Sequence, residues 1–213
     1  MKALTKSQWI ILSPILVVIG CHLSARIGMF FIGKWAFIPV VLTMWVMGLF
    51  FLKLGSTNHS LSKWLSKVPG KFGWKFLILL VGLLPITLFL SYWELLLSWE
   101  IFIPYLILAL INPFIEEFYW RGLLLDHTQH WKKWQAVLYS TFIFALNHPM
   151  SFGMFSELNW GFSVFISTFI MGIIWSVGYQ KIGSLRWMVF SHFLVDSLNV
   201  SVPAFLDLFK PVW

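Results

Sequence analysis

The sequence predicts an all-α polytopic transmembrane helix bundle of about seven to eight spans. Three observations carry this. First, hydrophobic residues make up 59% of the 213 positions and charged residues only 11%. A soluble domain has about 45–50% apolar and about 25% charged residues. So few charges cannot cover a globular surface, which excludes a soluble enzyme and a disordered chain. Second, the apolar residues fall in runs close to the roughly 20 residues that cross a bilayer as a helix. Third, no strand alternation or regular turn spacing suggests a β-barrel. The single cysteine, Cys21, excludes disulfides within the chain and any cysteine-based zinc cluster.

The candidate spans are 9–25, 35–52, 76–93, 101–125, 134–147, 160–180 and 187–205. The run 101–125 is interrupted by charges and is open to division into two elements. No internal repeat or soluble domain stands out, so the chain reads as a single membrane-embedded domain, 1–213, with polar motifs confined to 100–200. Basic residues orient the spans. Lys2 and Lys6 precede the first, Lys53, Lys63, Lys67, Lys71 and Lys75 follow the second, Lys132 and Lys133 follow the fourth, and Lys181 and Arg186 follow the sixth. The intervening loops carry Glu94, Glu100 and Glu157, and only the first of them, with Arg26 and Lys34, is basic. This pattern places the N-terminus in the cytoplasm and, with seven spans, the C-terminus outside. The net charge of +7 is thereby assigned to an anionic membrane face and not to nucleic acid. Trp9, Trp35, Trp93, Trp99, Trp134, Trp160 and Trp187 flank spans as an aromatic belt would.

Two segments admit rival readings. In 54–73, Leu61, Trp64, Leu65 and Val68 recur at helical spacing with lysines on other faces. This fits an amphipathic helix on the leaflet surface or a solvated basic loop. At the N-terminus, two lysines before an apolar run fit a signal peptide, and 18–21 resembles a lipoprotein cleavage box. The segment is taken as the first span.

Of the eight acids, Glu94, Glu100, Asp126, Glu157 and Asp207 lie at span ends or in loops. Glu116, Glu117 and Asp196 lie inside apolar runs, where an ionisable group marks function by default. Glu117 and Arg121 are four apart, share a helix face and can pair. Glu116 points about 100° away and lacks a local partner, so it is the better general base. His192 and Asp196 are also four apart, so the Asp can orient the imidazole, or both can contact a ligand or metal. Glu116 and His148 are symmetric about a turn near residue 132, which brings them to one depth in antiparallel helices. Glu116 then lies about 15 Å, and His192 roughly 12 Å, below the cytoplasmic surface at 1.5 Å per residue. All three groups are expected to converge on one cytoplasm-facing cavity. The plainer alternatives are, for Glu116 and Glu117, a structural ion pair that closes the helix bundle, a satisfied helix end at His148 before Pro149, and interhelical hydrogen bonding at His192 and Asp196. His22, His59, His127 and His130 read as interfacial, and Gly172, Ser176 and Gly178 as sites of close helix packing.

Glu116-Glu117…Arg121, Phe144…His148 and His192…Asp196, in this order, resemble the CPBP family of intramembrane proteases, also called the Abi or CAAX-protease and bacteriocin-processing family. The resemblance covers roughly 100–200 and implies peptide-bond hydrolysis in an integral membrane protein, here expected in a bacterial plasma membrane. It implies Glu116 as general base, His148 as a second holder of the attacking water, and His192 with residue 196 as oxyanion stabilisers. Glu117 and Arg121 would be a supporting pair. Residue 196 is Asp where one branch has Asn. An ionised Asp cannot donate to an oxyanion, so it orients His192 or is protonated. Members are often described as metalloproteases, and Glu116, His148 and His192 are a set that would hold Zn²⁺. A Glu–His pair also activates water alone, and the sequence leaves both open. The implied partners are the bilayer and a peptide or protein substrate, lipidated or not, with no nucleic acid. Two alternatives stay open: a non-catalytic bacteriocin-immunity or interaction protein, and a proton-coupled transporter.

Overall fold

A computed structural model describes residues 4–210. Lys2, counted above with the basic N-terminus, lies outside them. The described residues are overwhelmingly helical and contain no strand. α1 (Lys6–Ile32) and α2 (Phe37–Gly55) form an antiparallel hairpin. A short helix, α3 (Asn58–Trp64), follows, then α4 (Phe72–Leu83) and α5 (Ile86–Tyr92). α6 (Trp99–Glu117) runs through a π-helical turn, Phe118–Leu123, into α7 (Leu124–His127). α8 (Lys133–Ser151), α9 (Phe162–Ile182), α10 (Arg186–Leu198) and α11 (Ser201–Phe205) complete the chain.

Among the described residues, four helical stretches are long and apolar enough to cross a membrane: Lys6–Gly55, which holds the whole α1–α2 hairpin, Phe72–Leu97, Trp99–His127 and Phe162–Ile182. With this hairpin they account for five of the expected runs. The stretch 101–125 is one continuous element. Its charges do not divide it, because they face inward. The expected spans 76–93 and 187–205 are each broken. The first breaks at Leu84–Pro85, where proline removes a donor. The second breaks at Val200, which takes a left-handed backbone (φ 45°). α1 extends past 25 to Ile32, so His22 sits inside the helix and not at its end. Its Nδ1 lies 2.7 Å from the Met150 carbonyl.

Large apolar side chains such as Phe30, Val46, Leu90 and Phe162 face outward, as lipid requires. Trp9, Trp93, Trp99, Trp134 and Trp160 are also exposed, whereas Trp64, Trp120 and Trp175 are buried in the core. Loop contacts sort the two ends of the bundle. At one end, the Leu185 amide and Ser184 hydroxyl donate to the Trp64 carbonyl, Lys63 pairs with Asp126, and His127 meets Ser7. At the other, Lys34 pairs with Asp207, which also accepts from Ser156, Glu157 and Leu158. Loops two, four and six thus share one end, and loops one and five share the other with the tail. The first end carries Lys53, Lys63, Lys67, Lys71, Lys75, Lys132, Lys133 and Arg186, so the charge asymmetry is built into the folded molecule.

Segment 54–73 forms a helix over Asn58–Trp64 that is fastened to protein. Trp64 is 1% exposed, and its indole N–H donates to Asp126 at 3.1 Å. Leu61 and Leu65 face outward.

Candidate active site

The two glutamates end α6, directly before the π-helical turn. Such turns widen a helix by one residue and often mark functional sites. The turn continues the inward face, so Glu117 and Arg121 meet at 3.1 Å with neither exposed. The guanidinium lies over the Phe144 ring at 4.0 Å and near that of Trp175 at 5.2 Å. Gly172 on α9 lets this layer close, since a Cβ there would lie 2.8 Å from Thr141 and 3.1 Å from the guanidinium.

α10 delivers His192 and Asp196 to the same layer. His192 Nδ1 lies 2.8 Å from Glu117 Oε1, and its ring stacks on Trp175 at 4.9 Å. Nε2 faces Glu116 Oε2 at 3.4 Å and Asp196 Oδ1 at 3.5 Å. The carboxylate that orients the imidazole is therefore Glu117. Asp196, expected in that role from its spacing, is too distant for a strong hydrogen bond. Glu117 is shared between Arg121 and His192, so it does more than neutralise its neighbour.

Glu116, Glu117, Arg121, His192 and Asp196 thus come together directly, and Glu116 and His192 are almost fully buried. His148 lies beside this group without bonding to it. Its Nδ1 faces the Phe144 carbonyl at 3.0 Å, and its ring packs edge-on against Phe144, the same ring that underlies Arg121.

Two participants carried no motif. Asn112, one turn before Glu116, donates from Nδ2 to Glu116 Oε2 at 3.2 Å and to Asp196 Oδ2 at 3.1 Å. Trp45 on α2 donates its indole N–H to Asn112 Oδ1 at 3.0 Å. The i, i+4 spacing of Asn112 and Glu116 within an apolar run was a usable signal for the first. Nothing local pointed to Trp45.

As a metal test, among the described residues no group of three or more His, Cys, Asp or Glu side chains is arranged to hold an ion. The proposed set Glu116, His148 and His192 does not fit as it stands. Both His192 nitrogens face carboxylates, and His148 turns Nδ1 to a backbone carbonyl.

The geometry brings the three motifs together, and a family comparison covers the same stretch. A family model described as type II CAAX prenyl endopeptidase Rce1-like matches residues 97–198. This stretch belongs to the CAAX-protease family. The match begins just before α6 and ends with α10, so it takes in every motif and leaves α1–α5 outside. No curated protein and no solved structure gives a significant match. The CAAX-protease region is therefore the helical layer that carries the carboxylates and histidines, and it connects this chain with peptidases of the membrane.

Proposed function

We propose that the protein is an intramembrane endopeptidase that hydrolyses a peptide bond with water activated by Glu116 and His148. The supporting observation is the convergence of Glu116, Glu117, His192 and Asp196 from two helices that are distant in sequence. In this reading Glu116 Oε2 is held by Asn112 and faces His192, which leaves Oε1 to take the proton from water. His148 offers Nε2 to the same water from α8. His192 Nε2–H, which faces Glu116 Oε2 and Asp196 Oδ1 at 3.4 and 3.5 Å without substrate, turns in this reading to the charge that develops on the scissile carbonyl oxygen, where a donor is worth about 3–4 kcal/mol. Glu117 holds that imidazole, and Arg121 balances Glu117. The base and the oxyanion donor are thus drawn from α6 and α10, and a substrate backbone enters between them.

The basic end of the bundle is cytoplasmic in this reading, by the positive-inside rule. The site opens toward that side, and the substrate is a peptide with its cleavage point near the membrane. A C-terminally prenylated peptide is the first substrate to try.

The test is cleavage of such peptides by the protein in proteoliposomes. Glu116→Ala and His148→Ala are expected to lower turnover about 10²–10⁴-fold, the range of a general base, with membrane insertion intact. Cleavage that survives both changes overturns the assignment. Addition of a chelator is expected to leave turnover unchanged. Loss of activity that zinc restores would instead make Glu116, His148 and His192 metal ligands.

A further inference from the structure

Outside the matched region, Trp45 reaches the carboxylate layer through Asn112. Trp45 lies on α2, and its indole N–H can only donate. Asn112 must therefore turn its carbonyl oxygen to Trp45 and its NH₂ to the other side. On that side the amide meets two carboxylates, Glu116 at 3.2 Å and Asp196 at 3.1 Å, which accept when ionised. The amide has one sense in this environment, and Trp45 sets it. Both Nδ2 hydrogens are used, one for each acid, across α6 and α10.

The approach of α2 to α6 is also specified. Gly48, one turn beyond Trp45, lies so near α6 that a Cβ would sit 3.0 Å from Ile115. Asn112 is 6% exposed, so an alternative water partner for its amide is remote.

We infer that Trp45 and Asn112 are positioning residues for the carboxylate pair, with the α1–α5 half supplying the element that orients the general base. The inference rests on the endopeptidase reading for its catalytic meaning, but its geometry stands apart from it. Asn112 pins Glu116 Oε2 and thereby selects Oε1 as the free oxygen. It also keeps Asp196 at a set distance from Glu116, which two like charges would otherwise increase. Trp45 acts one step further back, by preventing the amide from reversing. A reversed amide would aim an oxygen at two carboxylates and repel both.

The experiment compares Asn112→Ala, Trp45→Phe and the double variant with the wild type in proteoliposomes. Two readouts are taken. Turnover of a prenylated peptide is expected to fall about tenfold in kcat for Trp45→Phe and further for Asn112→Ala, with KM unchanged. The double variant is expected to match Asn112→Ala alone, since Trp45 works only through the amide. The second readout needs no substrate: labelling of Glu116 by a membrane-permeant carbodiimide, located by peptide mass spectrometry. It is expected to change several-fold in both single variants, while the thermal midpoint of Trp45→Phe stays close to the wild type. Unchanged Glu116 labelling in both variants overturns the inference, whether or not a peptide is cleaved. Changed labelling in a protein that cleaves nothing upholds the positioning and overturns the endopeptidase reading alone. Equal losses of kcat and thermal stability in Trp45→Phe would reduce Trp45 to a packing role.

Discussion

His192 Nδ1 lies 2.8 Å from Glu117 Oε1, and the same carboxylate oxygen lies 3.1 Å from Arg121 Nη1. One fully buried oxygen thus serves a cation and an imidazole. Removing it leaves Arg121 uncompensated in a buried layer, and breaking a buried pair from one side is destabilising by about 3–5 kcal/mol. Glu117→Ala is therefore expected to lower the thermal midpoint in detergent strongly. Lys63→Ala, which breaks the exposed pair with Asp126, is expected to change stability by under about 1 kcal/mol. Similar midpoints for the two variants would refute the buried role of Glu117.

Gly172 gives a steric test of the same layer. A Cβ there meets Thr141 at 2.8 Å and the Arg121 guanidinium at 3.1 Å, both in packed surroundings. Gly172→Ala is expected to destabilise by about 1–3 kcal/mol, the usual penalty of overpacking. Gly73, in the first turn of α4, has nothing within 4 Å of a built Cβ. Gly73→Ala is expected to be neutral or stabilising by up to about 1 kcal/mol. Equal destabilisation at both positions would show that α8 and α9 are not in the described contact.

Trp64 is the clamp that fastens the basic segment to the bundle. Its ring covers Gly122, where a Cβ would lie 2.7 Å away, and its carbonyl accepts from Leu185 and Ser184. Trp64→Ala is expected to cost about 3–5 kcal/mol, as for other buried aromatic truncations. It should also release 58–66 to fast hydrogen exchange. Gly122→Ala is expected to release the same segment by displacing the ring. Protection of the segment that persists in both variants would contradict this docking.

The pairing of Glu117 with Arg121 was legible because i, i+4 geometry is local to one helix. The role of Glu117 toward His192 was not, because residues 75 apart in sequence meet only when α6 and α10 pack. The same limit hid Asn112 and Trp45, whose bond joins α2 to α6. It also hid the docking of Trp64, whose helical spacing fits a lipid surface as well as a protein one.

Asp207 provides a pH test outside the membrane-spanning segments. Burial disfavours its charge, but the Lys34 ammonium, the amides of Glu157 and Leu158 and the Ser156 hydroxyl outweigh this and hold its carboxyl below the ordinary value. A group with a lowered folded pKa stabilises the fold above its ordinary pKa, about pH 4, and this contribution is lost as pH falls through the folded value. Wild type is expected to lose stability below about pH 4 relative to Asp207→Asn, which is less stable at neutral pH. Because Lys34 is largely exposed, its share is under about 1 kcal/mol. Parallel pH–stability curves for the two proteins would discard the link.

Composition and run length by themselves determined an all-α membrane chain, because a bilayer admits no other use for so many apolar residues and so few charges. Motif order by itself singled out Glu116, Glu117, Arg121, His148, His192 and Asp196. Tertiary packing alone decided which atoms meet. It gave His192 to Glu117 and not to Asp196, tied Glu116 to Asp196 through Asn112, and brought α2 to the site through Trp45. Hydropathy records how deep a residue lies. Hydrogen bonds across helices depend on rotation and approach, which only the packed bundle sets.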